Sequence, residues 1–107
     1  MKVEVLYVAE CPAHPEAVRL VRGILAAEGV AAEIQEVLVE DERMAKRLKF
    51  PGSPTIRING QDVAEEPKEP RGFALSCRLY PESQVVGLPP AGLVRRAIAE
   101  ARRGSHA

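Results

Sequence analysis

The feature that most constrains this chain is a helix pattern placed between two strand patterns within its first 39 residues. Apolar residues recur at three- and four-residue spacings after Pro15, and Glu28-Gly29 ends the run with a glycine in the C′ position. Residues 2–8 before it and residues 31–39 after it are rich in β-forming side chains. Strand, helix and strand in this order predict a parallel βαβ unit in an α/β domain.

The next segment predicts a second helix and a third strand. Asp41 is expected to cap a short helix that runs up to Phe50-Pro51-Gly52. Residues 55–58 alternate as a strand, and Asn59-Gly60 follows as a turn dipeptide. Residues 61–72 are polar and contain prolines and a glycine, so we expect a surface loop there.

The last segment completes the order βαβαββα. Residues 73–80 alternate with apolar side chains on one face, which predicts a fourth strand, and Pro89-Pro90 opens a final helix. We therefore expect a mixed four-stranded sheet with helices on both faces, in one domain that spans residues 1–103. Residues 104–107 have no apolar content and are expected to be a disordered tail or a remnant of cloning.

Charge and composition exclude several classes of partner. The 15 basic and 15 acidic residues give a formal net charge of zero, without a basic footprint for nucleic acid or a polybasic anchor for a membrane surface. No long apolar stretch or signal-peptide pattern is present, so a cytoplasmic location is expected. Arg78 and Pro81 discourage pairing at the edge of the predicted fourth strand, so we expect a monomer or a weak dimer.

The two cysteines, Cys11 and Cys77, are the main candidates for chemistry. They are too few for a disulfide framework, a four-cysteine zinc site or a four-cysteine iron–sulfur cluster. In a reducing compartment each is either a buried apolar residue or a reactive thiol. Cys11 lies between the first strand and the first helix, where unpaired N–H groups and the helix dipole favour a thiolate. His14 lies within a turn of it and either shares a proton with the sulfur or only caps the turn.

Two short motifs carry a family resemblance, Cys-Pro-Ala-His at residues 11–14 and Gly-Ser-Pro-Thr at residues 52–55. Through them and the order of its elements, the chain resembles the thioredoxin-like superfamily. This resemblance implies that the bond before Pro54 is cis and that Pro54 abuts Cys11; otherwise Pro54 is an ordinary strand-opening proline. His14 stands where redox members carry the second cysteine of Cys-x-x-Cys, so the motif has no resolving thiol of its own.

Cys77 is the candidate to replace that thiol. If the third and fourth predicted strands form a hairpin around residues 59–72, their apolar faces fix a register. That register gives the pairs Ile58 with Phe73, Ile56 with Leu75 and Pro54 with Cys77. Because the resemblance places Pro54 beside Cys11, the two thiols would then come within reach of each other. A slip of one residue would turn Cys77 to the opposite face. The alternative interpretation of Cys77 is a residue packed in the core.

These residues favour thiol–disulfide exchange without a cofactor. Cys11 would be the attacking thiolate, Cys77 the resolving thiol and Pro54 the residue that shapes substrate approach. The partner would be a protein disulfide or a small thiol substrate. Arg57 and Arg78 are either surface charges or contacts for an anionic thiol such as glutathione.

Two alternatives belong to other functional classes. Residues 52–60, the long loop and the stretch 76–80 are similar to a subgroup of small bacterial thioredoxin-like proteins, some of them labelled as mercury-resistance or organomercurial-lyase proteins. That resemblance implies a soft-metal binding or handover protein in which Cys11 and Cys77, with or without His14, hold Hg(II) or Cu(I). The third reading is a noncatalytic thioredoxin-like interaction module, so the sequence leaves enzymatic activity open.

Overall fold

A computed structural model of the chain describes residues 1–64 and 88–104. The elements are β1 (Lys2–Tyr7), α1 (His14–Ala27), β2 (Glu33–Leu38), α2 (Glu42–Leu48), β3 (Thr55–Ile58), β4 (Gln61–Asp62) and α3 (Ala91–Gly104). They form an α/β domain in the predicted order βαβαββα, with the predicted mixed four-stranded sheet.

The sheet is built around β1, in the strand order β2-β1-β3-β4. β1 runs parallel to β2 and antiparallel to β3, and β4 runs antiparallel to β3. The parallel pair joined through α1 is the βαβ unit that the sequence predicts. β1 has a neighbour on each side and both faces of the sheet are covered, so its apolar residues Val3, Val5 and Leu6 are at most 1% exposed.

Helices cover both faces of the sheet, as predicted, because the side chains of β1 alternate between two cores. Val3 and Val5 point to one face, where they pack with buried residues of α1 and α3 such as Val21 and Ile98. Leu6 points to the other face and belongs to a smaller core. That core is completed by Val39, Ala45 of α2 and Phe50.

The ends of the first two helices follow their sequence signals. After α1, Gly29 has a φ of 65°, and its N–H donates to the carbonyl of Ala26 at 3.2 Å. This left-handed position is where glycine avoids the Cβ penalty, so the predicted glycine stop is confirmed. At the start of α2, an Asp41 side-chain oxygen accepts a hydrogen bond from the N–H of Met44 at 2.8 Å, which confirms the predicted cap.

Arg57 has a structural contact that the sequence did not predict. Its Nη2 donates to the carbonyl of Leu48 at 2.6 Å and to the carbonyl of Lys49 at 3.1 Å. These carbonyls lie at the C-terminus of α2, where no further helical N–H groups are available to them. Arg57 therefore closes α2 rather than standing as a solvated surface charge.

The fourth strand is not the one predicted, because the chain reverses directly at Asn59 and Gly60. Both residues have positive φ, 52° and 85°, as a two-residue type I′ hairpin turn requires. Gln61 consequently pairs with Ile58. The expectation of a loop throughout residues 61–72 is wrong for its first residues, since backbone pairing at an edge strand tolerates polar side chains.

The predicted register of the hairpin is corrected by the same observation. Ile58 lies between Val3 of β1 and Gln61 of β4. Ile56 pairs with β1 on one side, and on the other its carbonyl accepts from the N–H of Val63 at 3.0 Å. The pairings of Ile58 with Phe73 and of Ile56 with Leu75 are therefore wrong, and the pairing of Pro54 with Cys77 loses its derivation. The predicted strand 73–80, including Cys77, lies outside the described residues.

The final helix follows Pro89-Pro90 as predicted and packs beside α1. Arg102 Nη1 donates to the carbonyl of Glu28 at 3.1 Å, which joins the end of α3 to the end of α1. α3 includes Gly104, the first residue of the predicted tail, whereas residues 105–107 lie outside the described residues. None of the helices in the described part of the chain is long and apolar enough to span a membrane.

Candidate functional site

Cys11 is the residue shared by two successive turns that connect β1 to α1. In the first turn its N–H donates to the carbonyl of Val8 at 3.3 Å, and Glu10 adopts a φ of 62°. In the second turn its carbonyl accepts from the N–H of His14 at 3.2 Å. The main chain of Cys11 is therefore held at both its N–H and its C=O.

The second turn follows from the motif at residues 11–14. Pro12 occupies the second position of the turn, where its fixed φ is suitable, and Ala13 has φ −85° and ψ −10°, close to the values of a type I turn. Ala13 is also the N-cap of α1, and no side chain caps the helix there. The motif thus places the cysteine just before a helix start that has no side-chain cap.

The thiol of Cys11 is free and largely enclosed. The residue is 8% exposed, so it lies at the margin of the core rather than fully inside it. Within residues 1–64 and 88–104, the Cys11 sulfur forms no hydrogen bond to another residue. In particular, it forms none to the imidazole of His14. The position at the strand–helix junction agrees with the prediction for Cys11.

The segment that carries Pro54 approaches the cysteine turn through Val8. Ser53 Oγ accepts a hydrogen bond from the N–H of Val8 at 3.1 Å, while the carbonyl of Val8 accepts from Cys11. The Ser53–Pro54 peptide bond is cis, as the resemblance implied, and both residues are buried. Val8 therefore bonds to the Pro54 segment on one side and to the Cys11 turn on the other.

His14, the first residue of α1, is held against the sheet by two side chains. Its Nε2 lies 2.7 Å from Oε1 of Glu36 on β2. Its ring stacks on the ring of Tyr7, with centroids 3.6 Å apart and planes 3° apart. The cluster formed by Tyr7, His14 and Glu36 is here called the imidazole cluster.

The sequence did not predict the imidazole cluster. Neither Tyr7 nor Glu36 is among the candidate site residues of the sequence analysis. Alternation along β1 puts Tyr7 on the same face as Val5, and the parallel register puts Glu36 opposite Val5. That face is the one covered by α1, so the register between β1 and β2 was the signal needed to find both residues.

The described residues do not locate a second thiol for Cys11, because Cys77 lies outside them. They also contain no group of three or more His, Cys, Asp or Glu side chains suited to hold a metal ion. Both the resolving role and the metal-binding role of Cys77 stay predictions. Cys11, His14 and the Pro54 segment are the predicted site residues that the structure brings to one region.

Comparisons with protein-family models, with curated proteins and with solved structures found no match for this chain. The structure itself establishes a small α/β domain with a mixed four-stranded sheet. Its candidate function depends on the chemistry of the residues around Cys11.

Proposed function

We propose that this chain is a thioredoxin-like protein that carries out thiol–disulfide exchange with Cys11 as the nucleophile. The observation that supports this best is the placement of the free Cys11 thiol in a turn between β1 and α1. Hydrogen bonds hold both the N–H and the C=O of Cys11, so the backbone fixes the point and direction from which the side chain projects. A fixed nucleophile needs less ordering before it attacks a bound disulfide.

The start of α1 provides a suitable setting for a thiolate. The first N–H groups of a helix have no partners within the helix, and they concentrate positive partial charge at its N-terminus. No side chain caps α1 at Ala13. At the first two helical positions, the N–H of His14 donates to the carbonyl of Cys11 and Pro15 has no N–H, so the helix dipole is the main contribution to this setting. The thiolate is the species that attacks a disulfide, and such an environment favours its formation.

The arrangement of the chain supports the thioredoxin-like part of the proposal. A parallel βαβ unit is followed by a hairpin and a C-terminal helix, which is the layout that the resemblance implies. The cis bond before Pro54 and the link from Ser53 through Val8 to Cys11 agree with the same layout.

The proposed reaction has two exchanges. The Cys11 thiolate attacks one sulfur of a substrate disulfide; a bond forms between the Cys11 sulfur and that sulfur, and the other substrate sulfur leaves as a thiolate that takes up a proton. The thiolate of Cys77 then attacks Cys11 and releases the second substrate thiol. The substrate disulfide is reduced to two thiols, and Cys11 and Cys77 are oxidised to one disulfide.

The test uses the reduced full chain, glutathione disulfide as substrate, and the matched variants Cys77→Ser and Cys11→Ser. Released thiol and intact mass are followed over time. The wild type is expected to release two glutathione thiols per chain and to end without attached glutathione. Cys77→Ser should release one and keep glutathione on Cys11, and Cys11→Ser should react much more slowly.

Other outcomes would replace the proposal. Equal reaction rates for Cys11→Ser and the wild type would show that Cys11 is not the nucleophile. A chain that exchanges no disulfide but binds one Hg(II), and loses it when either cysteine is replaced, would be a soft-metal protein. If both cysteines can be replaced without changing disulfide exchange or metal binding, the chain would be interpreted as a noncatalytic interaction module.

A further inference from the structure

We infer that Glu36 and Tyr7 are positioning residues that hold His14 as the proton-transfer group of the Cys11 site. The inference rests on the proposed exchange reaction and adds to it the two residues that orient the imidazole. It is carried by the juxtaposition of a carboxylate, an imidazole and an aromatic ring at the helix start that adjoins the cysteine turn.

Glu36 determines which nitrogen of His14 carries a proton. Its Oε1 lies 2.7 Å from Nε2, which is the length of a short hydrogen bond. An ionised carboxylate only accepts hydrogen bonds, so Nε2 must be the donor. In the neutral imidazole the other nitrogen, Nδ1, is then left with a lone pair and can accept a proton.

Tyr7 fixes the plane of the ring. The two rings are parallel to within 3° at a centroid distance of 3.6 Å, so the imidazole cannot tilt out of this plane without losing the stack. The side chain of His14 is only 20% exposed. Stacking and the bond to Glu36 together select one ring orientation, as outer residues do for imidazoles in other reactive sites.

The second ring nitrogen, Nδ1, belongs to a residue whose main chain contacts the cysteine turn. Nδ1 is bonded to Cγ, so it is the ring nitrogen nearer to the main chain of His14. That main chain donates its N–H to the carbonyl of Cys11 at 3.2 Å. Catalytic hydrogen bonds are often longer before substrate binds, and a proton can also pass through one water molecule.

The proton balance of the step is simple. The Cys11 thiol gives its proton to Nδ1, which produces a thiolate and an imidazolium with protons on both nitrogens. The thiolate attacks the substrate disulfide, and the departing substrate thiolate takes the proton from Nδ1. Glu36 stabilises the imidazolium through Nε2–H, and His14 ends in its starting form.

The first measurement is the tautomer of His14 by proton–nitrogen NMR of the imidazole at the alkaline end of a pH series. The chain has two histidines, so the His14 signals are assigned by their loss in His14→Gln. The wild type should show the tautomer with the proton on Nε2. Glu36→Gln should show a mixture, because an amide can either accept from Nε2 or donate to it.

The second measurement is the rate at which Cys11 reacts with glutathione disulfide in a Cys77→Ser background. Glu36→Gln is expected to lower this rate roughly 10-fold, as the loss of an orienting partner does elsewhere. Glu33→Gln removes the same charge from the same strand on its other face and should leave the rate unchanged. Tyr7→Phe keeps the stacked ring and should retain most of the rate, whereas Tyr7→Leu should lower it.

The outcomes separate this inference from the proposed function. A reactive wild type whose rate and tautomer are unchanged by Glu36→Gln overturns the inference and leaves the exchange function standing. A wild-type tautomer with the proton on Nδ1 has the same meaning. A wild type whose Cys11 exchanges no faster than a thiol in an unfolded chain overturns both.

Discussion

Helices α1 and α2 are held at their ends in different ways. α2 is closed by side chains at both ends: Asp41 accepts from Met44 at its start, and Arg57 donates to Leu48 and Lys49 at its end. The start of α1 has no side-chain cap. Its first residue, His14, instead contacts the sheet through Glu36 and Tyr7, the other members of the imidazole cluster.

The difference in capping matters for the stability of α2 and for the reactivity of Cys11 at the start of α1. Caps on α2 satisfy its terminal groups and fix the segment that leads to Phe50 and Pro54. An uncapped start of α1 gives up about 1 kcal/mol that a capping residue would typically supply. The helix start that lacks a side-chain cap is the one beside Cys11, where the positive end of the helix dipole favours a thiolate.

Loss of the Arg57 contacts should produce the largest change in stability. Arg57→Met keeps much of the side-chain volume but removes both hydrogen bonds to the carbonyls of Leu48 and Lys49. We expect the free energy of unfolding, measured with urea, to fall by about 2 kcal/mol. Arg57→Lys is the matched control and should lose less. A loss below about 0.5 kcal/mol for Arg57→Met would show that α2 does not depend on this closure.

Asp41→Ala should have the next largest effect, since it removes the cap of α2. The expected loss in unfolding free energy is about 1 kcal/mol, because the N–H of Met44 is left without its side-chain acceptor. Asp41→Asn keeps an acceptor and should lose distinctly less. If Asn and Ala were equally destabilising, the hydrogen bond would not be the source of the effect.

The features predicted correctly from sequence depend on local chemistry. Gly29 stops α1 because glycine tolerates a positive φ, and Asp41 caps α2 because its side chain reaches a nearby N–H. The cis bond before Pro54 came from the family resemblance. These signals are contained in a few neighbouring residues, so the sequence alone is enough to find them.

The features that were missed depend on pairing between distant segments. The contact of Glu36 with His14 follows from the register of β1 and β2, and the contact of Arg57 follows from where α2 ends relative to β3. The predicted pairing of β3 with residues 73–75 is wrong because side-chain alternation does not determine which segment follows a tight turn such as Asn59-Gly60. A tight turn pairs whichever residues follow it, and here these are Gln61 and Asp62.

The contact between His14 and Glu36 should give a smaller but measurable coupling free energy. We expect a double-mutant cycle of His14→Ala and Glu36→Ala to yield about 0.5 kcal/mol at neutral pH, since Glu36 is partly exposed to water. Urea unfolding of the four chains measures it. Zero coupling would mean that the start of α1 is held by packing on Tyr7 rather than by the carboxylate.

The smallest effect is expected at two residues with left-handed backbone, one in each region. Glu10 has a φ of 62° before Cys11, and Lys49 has a φ of 53° at the end of α2. Glycine relieves the local strain but gains freedom in the unfolded chain, so Glu10→Gly and Lys49→Gly should each stabilise by only about 0.3 kcal/mol. Destabilisation by either substitution would show that the native side chain contributes more than its backbone costs.

The most direct measurement compares the reactivity of Cys11 in the folded and the urea-unfolded Cys77→Ser chain, with glutathione disulfide at one fixed pH. If the turn before α1 activates this thiol, the folded chain should react faster, on the order of 10-fold, even though Cys11 is 8% exposed. If Cys11 is only a packed core residue, folding should shield it. A slower reaction in the folded chain would therefore contradict its assignment as a nucleophile.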